Sequence, residues 1–215
     1  MRLVLLRHGE TEHNRDGLTL GRYDAPLTER GRAQARAVAT SFTTPPDALY
    51  SSPLARAAET AAAIAAHTAV AVTVAVDLTE MDVGEMEHLS GAALRERYPD
   101  FLRAWLSPHA ADARMPGGET LREVQQRAWD AVQRWRAASP EACVAAVTHN
   151  FVILALICRA IDLPLADFRR LRHGLAARTL LDIHEDGGTL LLLNDQSHLV
   201  AAGLGDDPVH REAPR

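Results

Sequence analysis

The sequence has little cysteine, no excess of positive charge and no long apolar run. Its two cysteines, Cys143 and Cys158, lack metal-ligand spacing and lie in apolar stretches, so we expect buried thiols, with one disulfide as the alternative. The formal net charge of −5 at pH 7 argues against a general binder of nucleic acids or acidic membranes. The longest apolar run, residues 151–158, is far shorter than the roughly 20 residues that a membrane-spanning helix needs.

The N-terminus also lacks the layout of a signal peptide, because its first apolar run is only a few residues long. We therefore expect a cytoplasmic protein that has neither a nucleic-acid nor a membrane partner. A chain of 215 residues suits one sizeable core. We expect one domain over residues 1–204, followed by a polar tail over 205–215 whose composition is typical of disorder.

Strand-like and helix-like segments alternate along the chain, which is typical of an α/β fold with a largely parallel sheet. Apolar or β-branched runs predict strands over residues 2–6, 48–52, 69–76, 143–150, 178–184 and 189–193. Composition and periodicity predict helices over residues 28–42, 53–67, 120–138 and 151–161, with shorter ones within 90–107 and 165–171. Ser52 is the predicted N-cap of the helix over 53–67, and Pro53 is its predicted first residue.

Three of the predicted strands end in polar residues that suit a binding site. The first strand ends at Arg7 and His8, the second at Ser52, and a third at His149. Gly9, directly after His8, would let a ligand approach the backbone closely. In an open α/β sheet, ligands bind outside the carboxyl ends of the strands, where the N–H groups of helix N-termini suit phosphate.

Arg56 lies in the first turn of a predicted helix, where the helix dipole disfavours a cation by roughly 0.3–1 kcal/mol unless an anion binds nearby. Taken alone, it is equally well explained as an exposed side chain. With Arg7 and two histidines it forms a set of donors without obvious carboxylate partners, and guanidinium groups match phosphate oxygens. The histidine spacings typical of metal sites are absent, so we expect no metal or other cofactor.

A series of short motifs follows one after another between Leu3 and Leu199: "LVLLRHGETEHN", "PLTERG", "YSSPLARAAETA", "LTEMDVGEMEHLSG", "PGGET", "VTHN" and "LNDQSHL". In this order they resemble the histidine phosphatase superfamily, in its phosphoglycerate-mutase-like branch. The resemblance covers nearly the whole chain. It implies a three-layer α/β/α sandwich with a mostly parallel central sheet, and covalent phosphoryl transfer through a histidine.

By this resemblance, His8 is the nucleophile that forms a phosphohistidine, and Arg7, Arg56 and His149 hold the phosphate oxygens. The chemistry agrees, because imidazole is unprotonated often enough near neutral pH to attack phosphorus. The resemblance also implies three substrate-binding residues, which are Asn14, Gly21 and Asn150. A loop-capping role is the alternative for the asparagine at position 14.

A leaving alkoxide needs a proton, and the family pattern places the general acid at Glu80. Such a carboxyl group must keep its proton near neutral pH, so its pKa should be raised. Glu85 and Glu87 are the alternatives, but they lie two residues apart on a predicted loop, where solvated charge is the default. Glu80 follows a strand and an apolar residue, which better suits a fixed and partly desolvated carboxyl group.

Three residues depart from the family pattern. Met86 and His88 stand where an aromatic residue and a glycine are usual, and Asn150 stands where glycine is common. The first two changes would alter the wall of the substrate pocket rather than the phosphate cage. Asparagine tolerates unusual backbone angles, so the third change is compatible with the expected turn.

We expect a phosphatase that acts on a small phosphorylated metabolite. The alternatives are a phosphoglycerate mutase with the same cage and a phosphate-binding module without catalysis. The region expected to cover the site, residues 100–119, offers only Arg103 and Arg114 as cations, and Phe101 and Trp105 make it partly apolar. This favours hydrolysis of something other than phosphoglycerate. Neither the substrate nor the oligomeric state follows from the sequence.

Overall fold

A six-stranded sheet forms the middle layer of the protein, in a computed structural model that describes residues 1–205. Its strands are β1 (Arg2–Arg7), β2 (Ala48–Ser51), β3 (Val72–Val74), β4 (Cys143–Thr148), β5 (Arg178–Ile183) and β6 (Gly188–Asp195). They lie in the order β3-β2-β4-β1-β5-β6. The first four are mutually parallel, and β5 is antiparallel to both of its neighbours. The predicted α/β class with a mostly parallel sheet is confirmed.

Helices cover the two faces of this sheet. They are α1 (Glu12–Asp16), α2 (Glu29–Thr40), α3 (Ala55–Thr68), α4 (Gly91–Arg97), α5 (Pro99–Trp105), α6 (Leu121–Ala138), α7 (Asn150–Ala160) and α8 (Ser197–Ala201). Short 3₁₀ turns occupy Val76–Leu78, Gly84–Met86 and Leu165–Arg170.

Strand β1 shows why the sheet needs both helical layers. Its alternate side chains point to opposite faces, and all four residues from Leu3 to Leu6 are buried. Val4 and Leu6 belong to a core that also contains Ile64 of α3, whereas Leu3 and Leu5 belong to the core formed with α6 and α7. A strand buried on both faces has a continuous apolar sequence, which is the pattern that predicted it.

The start of α3 differs from the prediction. The N-cap is Leu54 rather than Ser52, and its side chain makes no capping hydrogen bond. Instead, the carboxylate of Asp24, from a distant loop, accepts a hydrogen bond from the Ala55 N–H at 2.6 Å. The helix begins two residues later than Pro53 because this loop supplies the capping acceptor, which the local sequence cannot show.

Other elements also differ from the prediction. Strand β3 has three residues rather than the predicted eight, and Val76, the last residue of the predicted strand, belongs to a 3₁₀ turn. The short helices α1 and α8 fall in segments for which no helix was predicted. No helix within residues 1–205 is both long and apolar enough to cross a membrane. The tail that we expect to be disordered spans residues 205–215. Residues 206–215 lie outside the described part of the chain.

Candidate active site

The three polar strand ends meet at one edge of the sheet, because β1, β4 and β2 are neighbours in it. The His8 N–H donates to the Thr148 carbonyl at 3.1 Å, and the Ser52 N–H donates to the Val147 carbonyl at 2.9 Å. These backbone bonds extend the sheet by one residue beyond its named strands. As a result, the rings of His8 and His149 face each other with their centroids 5.1 Å apart.

His8 is held in a single tautomer by its own neighbour. Its Nδ1 lies 2.7 Å from the carbonyl oxygen of Gly9. A carbonyl only accepts hydrogen bonds, so Nδ1 must carry the proton and Nε2 keeps its lone pair. The ring is 3% exposed, and burial together with the charges of Arg56 and Arg7 places its pKa well below the usual value. The imidazole is therefore neutral and nucleophilic at neutral pH.

Gly9 is required by the packing of the loop after β1. A Cβ atom at this position would lie 2.4 Å from the carbonyl oxygen of Gly31 in α2. A glycine therefore fits where the backbone of α2 approaches, and the approach of a ligand at Gly9 stays a prediction. Its N–H also donates to Thr60 of α3 at 3.2 Å, which ties the loop after β1 to both helices on this side.

Arg56 is fully buried, although it lies in the first turn of a helix. Its guanidinium donates to the carbonyl oxygens of Gly21 at 2.7 Å and Tyr23 at 2.8 Å. The carboxylate of Glu87 accepts hydrogen bonds from the N–H groups of the same two residues, at 2.7 and 3.2 Å. Gly21 therefore contributes a carbonyl that orients Arg56, and Glu87 fixes the loop that presents it. This role of Glu87 was not predicted from the sequence.

His149 lies between Arg56 and Ser52. Arg56 Nε donates to His149 Nδ1 at 3.3 Å, and His149 Nε2 lies 2.7 Å from the Ser52 hydroxyl. A hydroxyl can either accept from Nε2 or donate to it. Ser52 therefore also suits the opposite tautomer, in which Nδ1 carries the proton and can donate to a bound phosphate. Burial, followed by the charge of Arg56, lowers the pKa of His149 well below its usual value.

Arg7, the last residue of β1, donates to the carbonyl oxygen of His173 at 2.7 Å. It also donates to the Asn150 amide oxygen at 3.4 Å. Asn150 is the first residue of α7, which begins directly after His149. The structure thus brings Arg7, Arg56 and the two histidines to one place, as predicted from the strand ends. Two cations next to two neutral imidazoles make this pocket suited to a phosphate dianion.

Glu80 is the buried carboxyl group of the site, with 4% of its surface exposed. It accepts hydrogen bonds from the N–H groups of Met81 at 2.8 Å and Phe151 at 3.3 Å. Burial raises its pKa, and the N–H groups together with Arg56 and Arg7 oppose that effect only in part. Phe151 directly follows Asn150, so this carboxyl group lies beside the start of α7.

The two alternative acids have other partners. The exposed Glu85 accepts a hydrogen bond from the Tyr98 hydroxyl at 3.1 Å. Glu87 is occupied by the backbone of the loop that holds Arg56. Of the three carboxyl groups only Glu80 is buried, and burial raises its pKa, as a proton donor requires. The geometry therefore favours Glu80 among the three candidates.

The three residues that remain, Asn14, Met86 and His88, lie in different environments. Asn14 lies at the end of a capping box, in which its amide oxygen accepts from the Thr11 N–H at 3.1 Å. This is the loop-capping alternative, and contact of Asn14 with a substrate stays a prediction. Met86 is buried in the core, and its contribution to the wall of the substrate pocket stays a prediction. His88 is exposed, and its Nδ1 lies 2.7 Å from Nε2 of His13.

Comparison with known proteins gives a family match over most of the chain. The family model described as histidine phosphatase superfamily (branch 1) matches residues 3–196. Phosphoserine phosphatase 1 of Hydrogenobacter thermophilus is 30% identical over 201 residues, which are 93% of this chain and 94% of that protein. The adenosylcobalamin/alpha-ribazole phosphatase of Salmonella typhimurium is 31% identical over 198 residues, with 92% and 98% covered.

Solved structures show the same architecture. Mycobacterial glucosyl-3-phosphoglycerate phosphatase, in a complex with VO3, superposes with a TM-score of 0.83 at 32% sequence identity. The match covers 91% of this chain and 99% of that one. The similarity therefore extends over most of the fold.

Proposed function

This chain belongs to the histidine phosphatase superfamily, branch 1, and we propose that it hydrolyses a small phosphomonoester through a phosphohistidine formed on His8. One observation carries the proposal. The bond from His8 Nδ1 to the Gly9 carbonyl leaves a lone pair on Nε2, in a pocket that also holds Arg7 and Arg56. A neutral imidazole beside two guanidinium groups is the arrangement that nucleophilic attack on a phosphate dianion requires.

The reaction has two halves. In the first, His8 Nε2 forms a bond to phosphorus while the bond from phosphorus to the leaving oxygen breaks, and Glu80 donates its proton to that oxygen. In the second, a water oxygen bonds to phosphorus and the bond to Nε2 breaks, while the Glu80 carboxylate takes the proton of the water. Arg7, Arg56 and His149 hold the phosphoryl oxygens in both steps.

The arginines supply the positive charge that phosphoryl transfer needs, so we expect no dependence on a metal ion. Within residues 1–205, no three His, Cys, Asp or Glu side chains are grouped to hold one. Prolonged treatment with EDTA, followed by gel filtration, should leave the turnover of p-nitrophenyl phosphate unchanged. A loss of turnover that added Mg²⁺ or Zn²⁺ restores would overturn this description of the site.

The two arginines of residues 100–119, the region expected to cover the site, favour hydrolysis over a mutase reaction. A mutase must hold the carboxylate of its substrate while the dephosphorylated intermediate reorients, and it must exclude water. Arg103 pairs with Asp100 at 3.0 Å, and Arg114 pairs with Glu123 through a bond of 2.5 Å. Both arginines pair with carboxylates of their own neighbourhood, and no hydrogen bond within residues 1–205 joins either one to Arg7, His8, Arg56 or His149.

The proposed function is tested by the fate of the phosphoryl group. A panel of phosphomonoesters should include phosphoserine, alpha-ribazole phosphate and glucosyl-3-phosphoglycerate, which the names of the relatives mention. We expect at least one compound to release stoichiometric phosphate. We also expect 3-phosphoglycerate with catalytic 2,3-bisphosphoglycerate to yield little 2-phosphoglycerate. A ratio of isomer to phosphate well above one, at a rate matching the best hydrolysis, would instead support the mutase.

A further inference from the structure

The motif "LNDQSHL" has no part in the mechanism described above, yet it lies against the loop that adjoins Arg7 and His8. Three of its side chains bond to consecutive residues of that loop. Asn194 Oδ1 accepts from the Gly174 N–H at 2.7 Å, Gln196 Nε2 donates to the Leu175 carbonyl at 3.4 Å, and His198 Nε2 donates to the Ala176 carbonyl at 2.9 Å. We call residues 194–198 the clamp segment and residues 173–177 the clamped loop.

The bond to Gly174 controls a single peptide group. The N–H of Gly174 and the carbonyl of His173 belong to the same planar trans peptide, so they point in opposite directions. Asn194 holds the N–H side of this peptide, and Arg7 donates to its carbonyl side at 2.7 Å. The orientation of this peptide plane therefore fixes the position of an acceptor for the Arg7 guanidinium. Serial hydrogen bonds through one peptide also strengthen one another.

The peptide group between Leu175 and Ala176 links the clamp segment to His8 in the same way. The carbonyl of Leu175 accepts from Gln196, and the N–H of Ala176, in the same peptide, donates to the carbonyl oxygen of His8 at 3.1 Å. The clamp segment thus bonds to one side of each of these two peptide groups. The other side of the first peptide bonds to Arg7, and the other side of the second bonds to His8. Neither bond can be predicted from the sequence, because the partners are far apart along the chain, 166 positions in the case of Arg7 and His173.

The residue type at position 194 fits this role. Asn194 adopts a left-handed backbone with φ of 55°, which asparagine tolerates better than most residues. Its N–H donates to the Thr179 hydroxyl of β5 at 3.1 Å, so the end of β6 that carries Asn194 is anchored to the neighbouring strand. The side-chain oxygen is therefore presented from a fixed backbone, as a positioning contact requires.

We propose that Asn194 is a positioning residue that orients Arg7 for phosphate through the peptide between His173 and Gly174, with Gln196 acting likewise on His8. The proposal rests on the proposed function only in assigning phosphate as the ligand of Arg7.

Binding of inorganic vanadate, measured by calorimetry on the full chain, tests the proposal without requiring turnover. Asn194→Gly keeps the left-handed backbone and removes the acceptor, and we expect it to weaken vanadate binding by about 10-fold, the lower end of the effects of such supporting contacts. Asn194→Asp keeps an acceptor at the same place and should bind vanadate much more tightly than the glycine variant. The matched control is Asp162→Gly, at an exposed left-handed position with φ of 56°.

The control separates positioning from general stability. We expect both variants to stay folded at the temperature of the calorimetry, with a lower melting temperature for Asn194→Gly because it loses the bond to Gly174, and only Asn194→Gly to weaken vanadate binding. Unchanged vanadate binding in a folded Asn194→Gly variant would overturn the proposal. Should that variant not fold, Gln196→Met removes the amide donor at similar volume and should weaken vanadate binding several-fold. Unchanged vanadate binding in this variant would then overturn the proposal.

The two proposals fail separately. A wild-type protein that binds vanadate but hydrolyses no phosphomonoester would contradict the proposed function, while the Asn194 comparison would still be decided by binding. A wild-type protein that hydrolyses its substrate, together with an Asn194→Gly variant that binds vanadate normally, would contradict the positioning role alone.

Discussion

Replacing His8 with alanine is expected to lower kcat for p-nitrophenyl phosphate by roughly 10⁴-fold or more, the scale on which loss of a covalent nucleophile acts in other enzymes. The variant loses the Nε2 lone pair that attacks phosphorus. Vanadate should still bind, because Arg7, Arg56 and His149 remain in place, although its affinity should fall with loss of the imidazole. Steady-state kinetics and vanadate calorimetry on one preparation give both quantities.

The matched control for this experiment is His67→Ala. His67 is an exposed histidine in the last turn of α3, away from the strand ends that form the site. We expect this variant to keep the wild-type kcat. Substantial turnover by the His8→Ala variant would show that another side chain accepts the phosphoryl group or that water attacks phosphorus directly.

Replacing Glu80 with glutamine should have an effect that depends on the leaving group. General-acid assistance is ordinarily worth roughly 10²–10⁴-fold, and an alkoxide needs it whereas p-nitrophenolate leaves with little help. We therefore expect kcat/KM to fall by about 10²-fold or more for an alkyl phosphate, and far less for p-nitrophenyl phosphate. Steady-state kinetics with the two substrates provide the comparison.

Glu87→Gln is the matched carboxyl-to-amide control. Glu87 holds the backbone N–H groups of Gly21 and Tyr23, whose carbonyls orient Arg56. Its replacement should therefore affect both substrates by similar factors. Equal losses for both substrates in Glu80→Gln, or a selective loss in Glu87→Gln, would remove the acid role from Glu80.

The pH dependence gives a second measure of the same role. Because burial raises the pKa of Glu80, the protonated form persists to higher pH than in an ordinary glutamate. The rate with an alkyl phosphate should fall as the pH rises through that raised pKa, since the acid form is lost. Glu80→Gln should abolish this decline. The lowered pKa of His8 means that acidification inactivates the nucleophile only well below pH 6.5.

The parts of the site that the sequence predicted share one physical origin. His8 and His149 follow buried strands, and parallel neighbouring strands necessarily end at the same edge of a sheet. Arg56 was identifiable because a cation in the first turn of a helix is unfavourable unless something compensates it. Local patterns therefore identified the groups proposed to contact phosphate.

The supporting contacts were not predictable in this way. Glu87 reaches Gly21 across 66 residues, and Asn194 reaches Gly174 across 20, and neither pairing leaves a periodic signal. Ser52 was expected to cap α3 and instead bonds to His149, because Asp24 supplies a capping acceptor from elsewhere. These errors have one cause, since a polar side chain takes the partner that the tertiary fold brings near.

The central claim is that the phosphoryl group passes through His8. It is tested most directly by mixing wild-type protein with a substrate carrying radiolabelled phosphate, quenching within the first turnover, and mapping the label by mass spectrometry. We predict a phosphoryl group on the peptide that contains His8, stable in base and lost in acid, and absent from the His8→Ala variant. An active enzyme that yields no label under these conditions, or a label on any other residue, would contradict the account.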